Sequence, residues 1–127
     1  MKTIFILCGL ILAGAAAWFL LARDKHTDHY GNAFRGLPSV EVGQLTASPA
    51  DYVRKEVRIT GVLTRQCPVA GCWFFVKDAS GEKEVRVEMG DTTPRLPQSL
   101  GKTAVVEGQL IPFGNEYEFV GTAVEFR

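Results

Sequence analysis

Cys67 and Cys72 stand four residues apart, joined by Pro68, Val69, Ala70 and Gly71. A connection of four residues between two strands makes a common hairpin loop. Directly facing residues of such a hairpin have Cα atoms ~4.5–5.5 Å apart, inside the ~4.4–6.8 Å range of a disulfide. In an exported domain the first expectation is a disulfide that pins the hairpin. Its closed loop is short, so its stabilisation lies at the low end. Two other chemistries use the same pair. Two thiolates on a hairpin bind a soft ion such as Cu(I), which accepts few ligands. A redox-active pair is the third reading, although the spacing is not the C-x-x-C of a helix N-terminus that lowers a thiol pKa. Arg65 is the nearest charge that could steady a thiolate. A complete zinc site needs four ligands, and no His or further Cys lies nearby in sequence.

The second chemistry-bearing stretch follows at once. Residues 72–77 read Cys-Trp-Phe-Phe-Val-Lys and are apolar on both faces. With Phe74 and Val76 turned inward, Trp73, Phe75 and Lys77 turn outward. Trp73 and Phe75 beside Arg58 and Arg86 would form a stacking platform for bases or sugars. In the competing arrangement residues 34–53 lie over this face, with Phe34, Leu37, Leu45 or Tyr52 covering the aromatics. The glutamates Glu116, Glu118 and Glu125 read as cross-strand partners for the basic residues of the first strand.

Charge and composition exclude several functions. The chain has 127 residues, 14 of them Lys or Arg and 14 Asp or Glu. Without the first 30 residues, 97 remain with 11 Lys/Arg and 12 Asp/Glu, a net charge of −1. Binding nucleic acid by bulk electrostatics needs a basic surplus, so that partner is not expected. Neither His lies in the C-terminal part, so no Ser/His/Asp set exists there. The carboxylates are scattered, and no Gly-rich phosphate loop leads into a helix. No catalytic residue and no enzyme activity are expected. No cofactor is expected either, unless the cysteine pair holds copper or another soft metal ion.

These residues need a scaffold, and alternation supplies it. Residues 56–65 place Val57, Ile59, Gly61 and Leu63 on one face. Residues 72–77, 84–89, 103–110 and 116–126 read as four further strands. Val85, Val87 and Met89 point inward in the third, and Ala104 and Val106 alternate with Val105 and Glu107 in the fourth. Ser48, Pro49 and Asp51 read as the start of a short helix. Glycines inside strands, Gly61, Gly108 and Gly121, fit a tightly curled sheet. Closure removes the edges that a small all-β domain must otherwise protect. The expected fold is all-β: a small five-stranded barrel, preceded by one N-terminal transmembrane helix.

Four stretches carry a resemblance: residues 55–61, 75–81, 85–87 and 101–108. Their pattern of strands and turns resembles exported bacterial OB-fold proteins over about residues 40–127. The segment from Cys67 to Trp73 resembles an uncharacterised family of that group with a Cys-x4-Cys-Trp hairpin. The resemblance implies an OB-fold-like barrel and points to the outer surface of its second and third strands as the ligand face. It implies no activity. A membrane-anchored haem chaperone of cytochrome c maturation is similar in outline. Its haem-binding His lies after the barrel in a His-x-x-x-Tyr setting. Here His26 and Tyr30 have that spacing but precede the barrel, which argues against haem handling.

The N-terminal stretch supplies the location. Residues 4–22 contain no charge, and Lys2 precedes them. At ~1.5 Å per residue the run reaches ~28 Å, close to the ~30 Å of a hydrocarbon core. Ala13, Ala15 and Ala17 offer a signal-peptide cleavage site, but Trp18, Phe19, Leu20 and Leu21 continue past it. An uncleaved anchor is the preferred reading. Leu7 before Cys8 does not fit a lipobox. The expected organisation is a signal anchor at 1–22, a linker at 23–39 and the barrel at 40–127. His26 and His29, with Asp24 and Asp28, read as a solvated tether rather than a metal site. The expected protein is a non-catalytic binding module. It is held in the cytoplasmic membrane by residues 4–22 and faces the periplasm or exterior. Its partner is a protein or small-molecule ligand, and the sites are Trp73, Phe75, Arg58 and Arg86. Thiol-based metal delivery or redox work through Cys67 and Cys72 is the alternative.

Overall fold

The computed structural model describes Gly14 and residues 28–68, 73–78, 81–90 and 95–127. The apolar run at 4–22 with Cys8 (Gly14 apart), the first five residues of the expected linker, 23–27, with His26, and Cys72 therefore lie outside the described residues. Among the described residues no helix is long and apolar enough to cross a membrane.

The described elements are strand β1 (Asp28–Gly31), helix α1 (Val42–Ala47), a 3-10 turn (Pro49–Asp51) and strands β2 (Glu56–Gln66), β3 (Trp73–Lys77), β4 (Glu84–Glu88), β5 (Thr103–Phe113) and β6 (Glu116–Phe126). The sheet order is β1-β6-β4-β3-β2-β5, and β6 also pairs with β5. The last pairing closes β2 to β6 into a five-stranded barrel. β4 and β6 run parallel; the other barrel neighbours are antiparallel. This connectivity is OB-like, as the alternation and turns anticipate.

The long first strand serves two partners. Residues 56–62 of β2 pair with β5, and residues 62–66 pair with β3 across a register shift between Leu63 and Arg65. The chain must bend sharply at that crossing, and Gly61 lies there. A Cβ on Gly61 would stand 2.4 Å from the Lys77 carbonyl oxygen. Gly108 sits at the other irregularity, between Glu107 and Gly108, where a Cβ would come within 2.0 Å of the Val120 carbonyl oxygen. Both crossings require a residue without a side chain.

The inward alternation follows the pattern of the sequence. Val57, Ile59, Leu63, Phe74, Val76, Val85, Val87, Ala104, Val106, Phe119, Val124 and Phe126 are buried, and Phe74 packs edge-on against Phe126 with ring centroids 5.8 Å apart. Met89 closes the same core. Fully burying each such side chain contributes about 1.5–3 kcal/mol.

Three expectations change. Residues 28–39 are bonded to the barrel and do not form a linker. β1 extends the sheet beside β6, with Asp28 opposite Phe126 and Gly31 opposite Ala123. Asn32 N–H then donates to the Thr122 carbonyl, and Arg58 N–H to the Pro38 carbonyl. The polar residues of β1 carry no apolar alternation, because an added edge strand has little to bury. Second, the α-helix precedes Ser48 instead of starting there. Its N-terminal N–H groups on Val42 and Gly43 donate to the Asp78 carboxylate at 3.1 and 2.6 Å. The capping group comes from the end of β3 and so leaves no local signature. Ser48 and Pro49 open only the 3-10 turn. Third, β6 is not a neighbour of β2. Glu116, Glu118 and Glu125 therefore do not pair with the basic residues of the first strand. Glu125 instead holds Arg127 at 2.7 Å.

Candidate binding face on strands two to four

Strand β3 lies between β2 and β4, with Phe75 opposite Arg65 on one side and Arg86 on the other. Trp73 and Phe75 both face outward and are half-buried. Their rings meet edge to face, with centroids 5.9 Å apart. The Arg65 guanidinium lies over Phe75 at 4.0 Å, and the Arg86 guanidinium over Trp73 at 5.4 Å. Two cations and two rings thus form one continuous surface. Each such cation–ring contact contributes about 0.5–1 kcal/mol at an exposed site.

The two arginines differ in how their charge is met. Arg65 donates through Nε and Nη2 to one oxygen of Glu84, at 3.2 and 2.9 Å. Burial pushes the Glu84 carboxyl up. The Arg65 and Thr64 side chains outweigh this, and its pKa lies below the usual glutamate value. Arg86 reaches Glu88 only at 3.5 Å and Glu118 only at 4.0 Å. Its Nε is the one buried side-chain polar atom without a hydrogen-bond partner among the described residues. A separation of 4.0 Å is too long for a hydrogen bond.

A cavity of about 480 Å³ adjoins this surface. Its apolar wall is Leu45, Pro49, Val85 and Leu110; Phe75 and Tyr117 add rings, and Lys83 and Arg86 add charge. Tyr117 is 39 % exposed and stands beside the β5–β6 turn, where Phe113 is 62 % exposed. The sequence did not single out Lys83, Tyr117 or Arg65 for this face. For Arg65 and Arg86, the facing register across β3 is the decisive signal, and it depends on the bulge in β2.

Trp73, Phe75 and Arg86 are therefore brought together, and Arg58 is not. Arg58 lies eight residues from Gln66, the β3-facing partner of Phe74, which is ~26 Å of strand. Its guanidinium bonds Glu107 at 2.9 Å and covers the Phe34 ring at 4.7 Å. The reason is topological: this half of β2 faces β5, not β3. Arg58 lines a second cavity of about 370 Å³ with Ser39, Glu41, Gln44 and Asp78. Phe34 is engaged with Arg58 and with His29, whose ring it meets edge-on at 4.8 Å, so it does not cover the aromatic strand. Leu45, fully buried, does reach the cavity beside Phe75.

No family model matches this chain, and no curated protein matches it.

Cys67, just past the end of β2, is bonded to the first residue of β3. Cys67 N–H donates to the Trp73 carbonyl at 3.0 Å, and Gln98 Nε2 donates to the Cys67 carbonyl at 3.0 Å. Cys72 lies outside the described residues, so the pairing of the two sulfurs is not described. Among the described residues no three His, Cys, Asp or Glu side chains converge as a metal site. His29 Nε2 is 2.7 Å from the Asn32 carbonyl oxygen.

Proposed function

We propose that the protein is a non-catalytic, membrane-tethered binding module on the extracytoplasmic side. Its ligand surface is the outer face of β2, β3 and β4, with Trp73, Phe75 and Arg86 as contact residues and Arg65 as the fourth member. The observation that carries this reading is the half-buried Arg65–Phe75–Trp73–Arg86 surface beside an open cavity, in which Arg86 meets Glu88 at 3.5 Å and Glu118 at 4.0 Å. A purely structural arginine would be expected to hold a carboxylate closely, as Arg58 and Arg65 do at 2.9 Å. Stacking rings flanked by guanidinium groups recognise flat or anionic groups.

The tether geometry agrees with it. Five residues, 23–27, separate the apolar run from β1, and their full reach is ~20 Å. Asp28 pairs beside Phe126, the end of β6. The other end of β6, at Glu116, is ten residues and ~33 Å of strand away. With an anchor at 4–22, the Asp28 end lies within ~20 Å of chain from the bilayer.

The test uses the full-length chain carrying Trp18→Phe, which leaves Trp73 as the only tryptophan. Protease added to intact spheroplasts is expected to remove the barrel. In detergent micelles a fragment library is expected to yield compounds that change Trp73 emission. A protected barrel, or a Trp73 that no compound alters, contradicts the reading.

A further inference from the structure

None of residues 28–41 is buried, and Val42 is the first buried residue after them. Tyr30 and Val40 lie half-buried against the core, with the Tyr30 ring 6.0 Å from that of Phe126. Phe126 also has Phe74 as a packing neighbour, independent of this segment. The segment is held mainly by hydrogen bonds. β1 pairs with residues 123–126 of β6. Asn32 N–H donates to the Thr122 carbonyl, Val40 N–H to the Arg58 carbonyl and Arg58 N–H to the Pro38 carbonyl. Arg35 and Leu37 donate their N–H groups to the Glu107 carboxylate. The Arg35–Glu56 ion pair is exposed on both sides and adds little.

Barrel closure uses none of these bonds. The β6 residues that β1 pairs with are already paired on their other side, Ala123 with Glu107, Val124 with Val106, Glu125 with Val105 and Phe126 with Ala104. β1 lies outside the closed ring, so its departure opens no gap between β2 and β6. A segment with few buried apolar contacts and solvent-side hydrogen bonds opens at a lower free energy than the core beneath it.

We propose that residues 28–41 form a strap that detaches as one unit, with Glu107 as its latch, while β2 to β6 stay closed. The strap ends at Val42, because Val42 and Leu45 are fully buried and Asp78 caps α1. The docked strap adds to the stability of the barrel, but closure does not require it. Release has a consequence for the tether, and this consequence alone rests on the reading of 4–22 as an anchor. The fourteen residues of the strap add roughly 46–50 Å of extended chain to the ~20 Å of residues 23–27. The docked strap keeps the barrel on a short leash at the bilayer, and the released strap lets it range about three times as far.

The experiment is native-state hydrogen exchange of the full-length protein in detergent micelles, with urea below the unfolding range. The amides of Asn32, Arg35, Leu37 and Val40 are expected to share one opening, at a lower free energy and with a weaker urea dependence than Ile59 and Val106, which face each other in β2 and β5. The Arg58 amide is diagnostic: it lies in β2 but donates to Pro38, so it should exchange with the strap and not with its own strand. Glu107→Gln should speed these five amides roughly tenfold or more and leave Ile59 and Val106 protected. Exchange of the five only together with Ile59 and Val106, five unrelated rates, or loss of protection at Ile59 and Val106 in Glu107→Gln overturns the proposal. The unsubstituted protein decides the first two points without the variant. The change of reach is read by energy transfer from Trp73 to dansyl-headgroup lipid, with the Trp18→Phe chain in nanodiscs. Glu107→Gln should lower the transfer. Detached-strap exchange with unchanged transfer overturns the change of reach and counts against the anchor, while the detachment itself stands.

Discussion

The carboxylate of Glu107 accepts the backbone N–H of Arg35, 72 residues earlier in the chain, at 2.6 Å. It also accepts the N–H of Leu37 at 3.1 Å and two donors of Arg58 at 3.2 and 2.9 Å. Glu107 is 1 % exposed. One buried carboxylate on β5 thus holds the segment that leads from β1 to α1. Glu107→Ala would leave the Arg58 guanidinium and two N–H groups without their acceptor. Loss of one partner from a buried charge pair costs about 3 kcal/mol or more. Urea unfolding should report that loss, and hydrogen exchange should show faster exchange at Arg35 and Leu37. A variant as stable as the parent would mean that the barrel does not depend on this segment.

The same group sets an acid limit. Burial pushes the Glu107 carboxyl up, but the N–H groups of Arg35 and Leu37 and the Arg58 side chain outweigh it and hold the pKa below the ordinary 4.5. A carboxyl with a lowered folded-state pKa adds stability above its unfolded value, and this is lost as pH falls through the folded value. Unfolding free energy should therefore be flat on this account above about pH 5 and drop below about pH 4.5. In Glu107→Gln that part of the acid drop should be missing. The comparison is a pair of urea midpoints measured across pH 3–6.

Barrel closure depends on Gly108. A methyl group there would meet the Val120 carbonyl oxygen at 2.0 Å, and the obstacle is backbone that cannot rotate away. Gly108→Ala should cost about 3 kcal/mol or more, at the upper end of overpacking effects. Gly114→Ala is the control: at φ 61° it is strained, but nothing lies within 4 Å of the added group. Thermal unfolding of the two variants should separate them clearly, with the larger loss at Gly108.

The hairpin carries its own prediction. Cys67 is tied to Trp73 through its backbone N–H, and Cys72 precedes Trp73 in sequence. Protein purified under non-reducing conditions should show no titratable thiol from this pair. Reduction, or the double change Cys67→Ser and Cys72→Ser, should cost roughly 2 kcal/mol for so short a loop. Two free thiols with tight Cu(I) binding would favour the metal reading instead.

Much of the barrel was legible, and the reasons for the gaps are physical. Strands β2, β4 and β6 follow from alternation to within a residue at each end, because one face of each is buried. The aromatic pattern of residues 73–77 also places Phe74 and Val76 inside as expected. Three features have no local signal. β1 is a polar strand held by backbone hydrogen bonds to β6. The cap of α1 is Asp78, 36 residues from Val42. Val105 and Glu107 alternate like outward residues but are buried, and the segment after β1 is bonded to Glu107. The site shows the same division. Trp73, Phe75 and Arg86 are named by residue type and strand face. Arg58 and Arg65 exchange roles because β2 switches partners near Leu63, which only the paired sheet determines.

Chemical-shift mapping on the full-length protein in micelles, titrated with fragments that alter Trp73 emission, tests the ligand face most directly. The shifts should concentrate at Arg65, Trp73, Phe75, Arg86 and Tyr117, on one face of β2 to β4 and its cavity. Shifts that leave these residues unmoved and concentrate at Ser39, Gln44 and Arg58, around the other cavity, would contradict it.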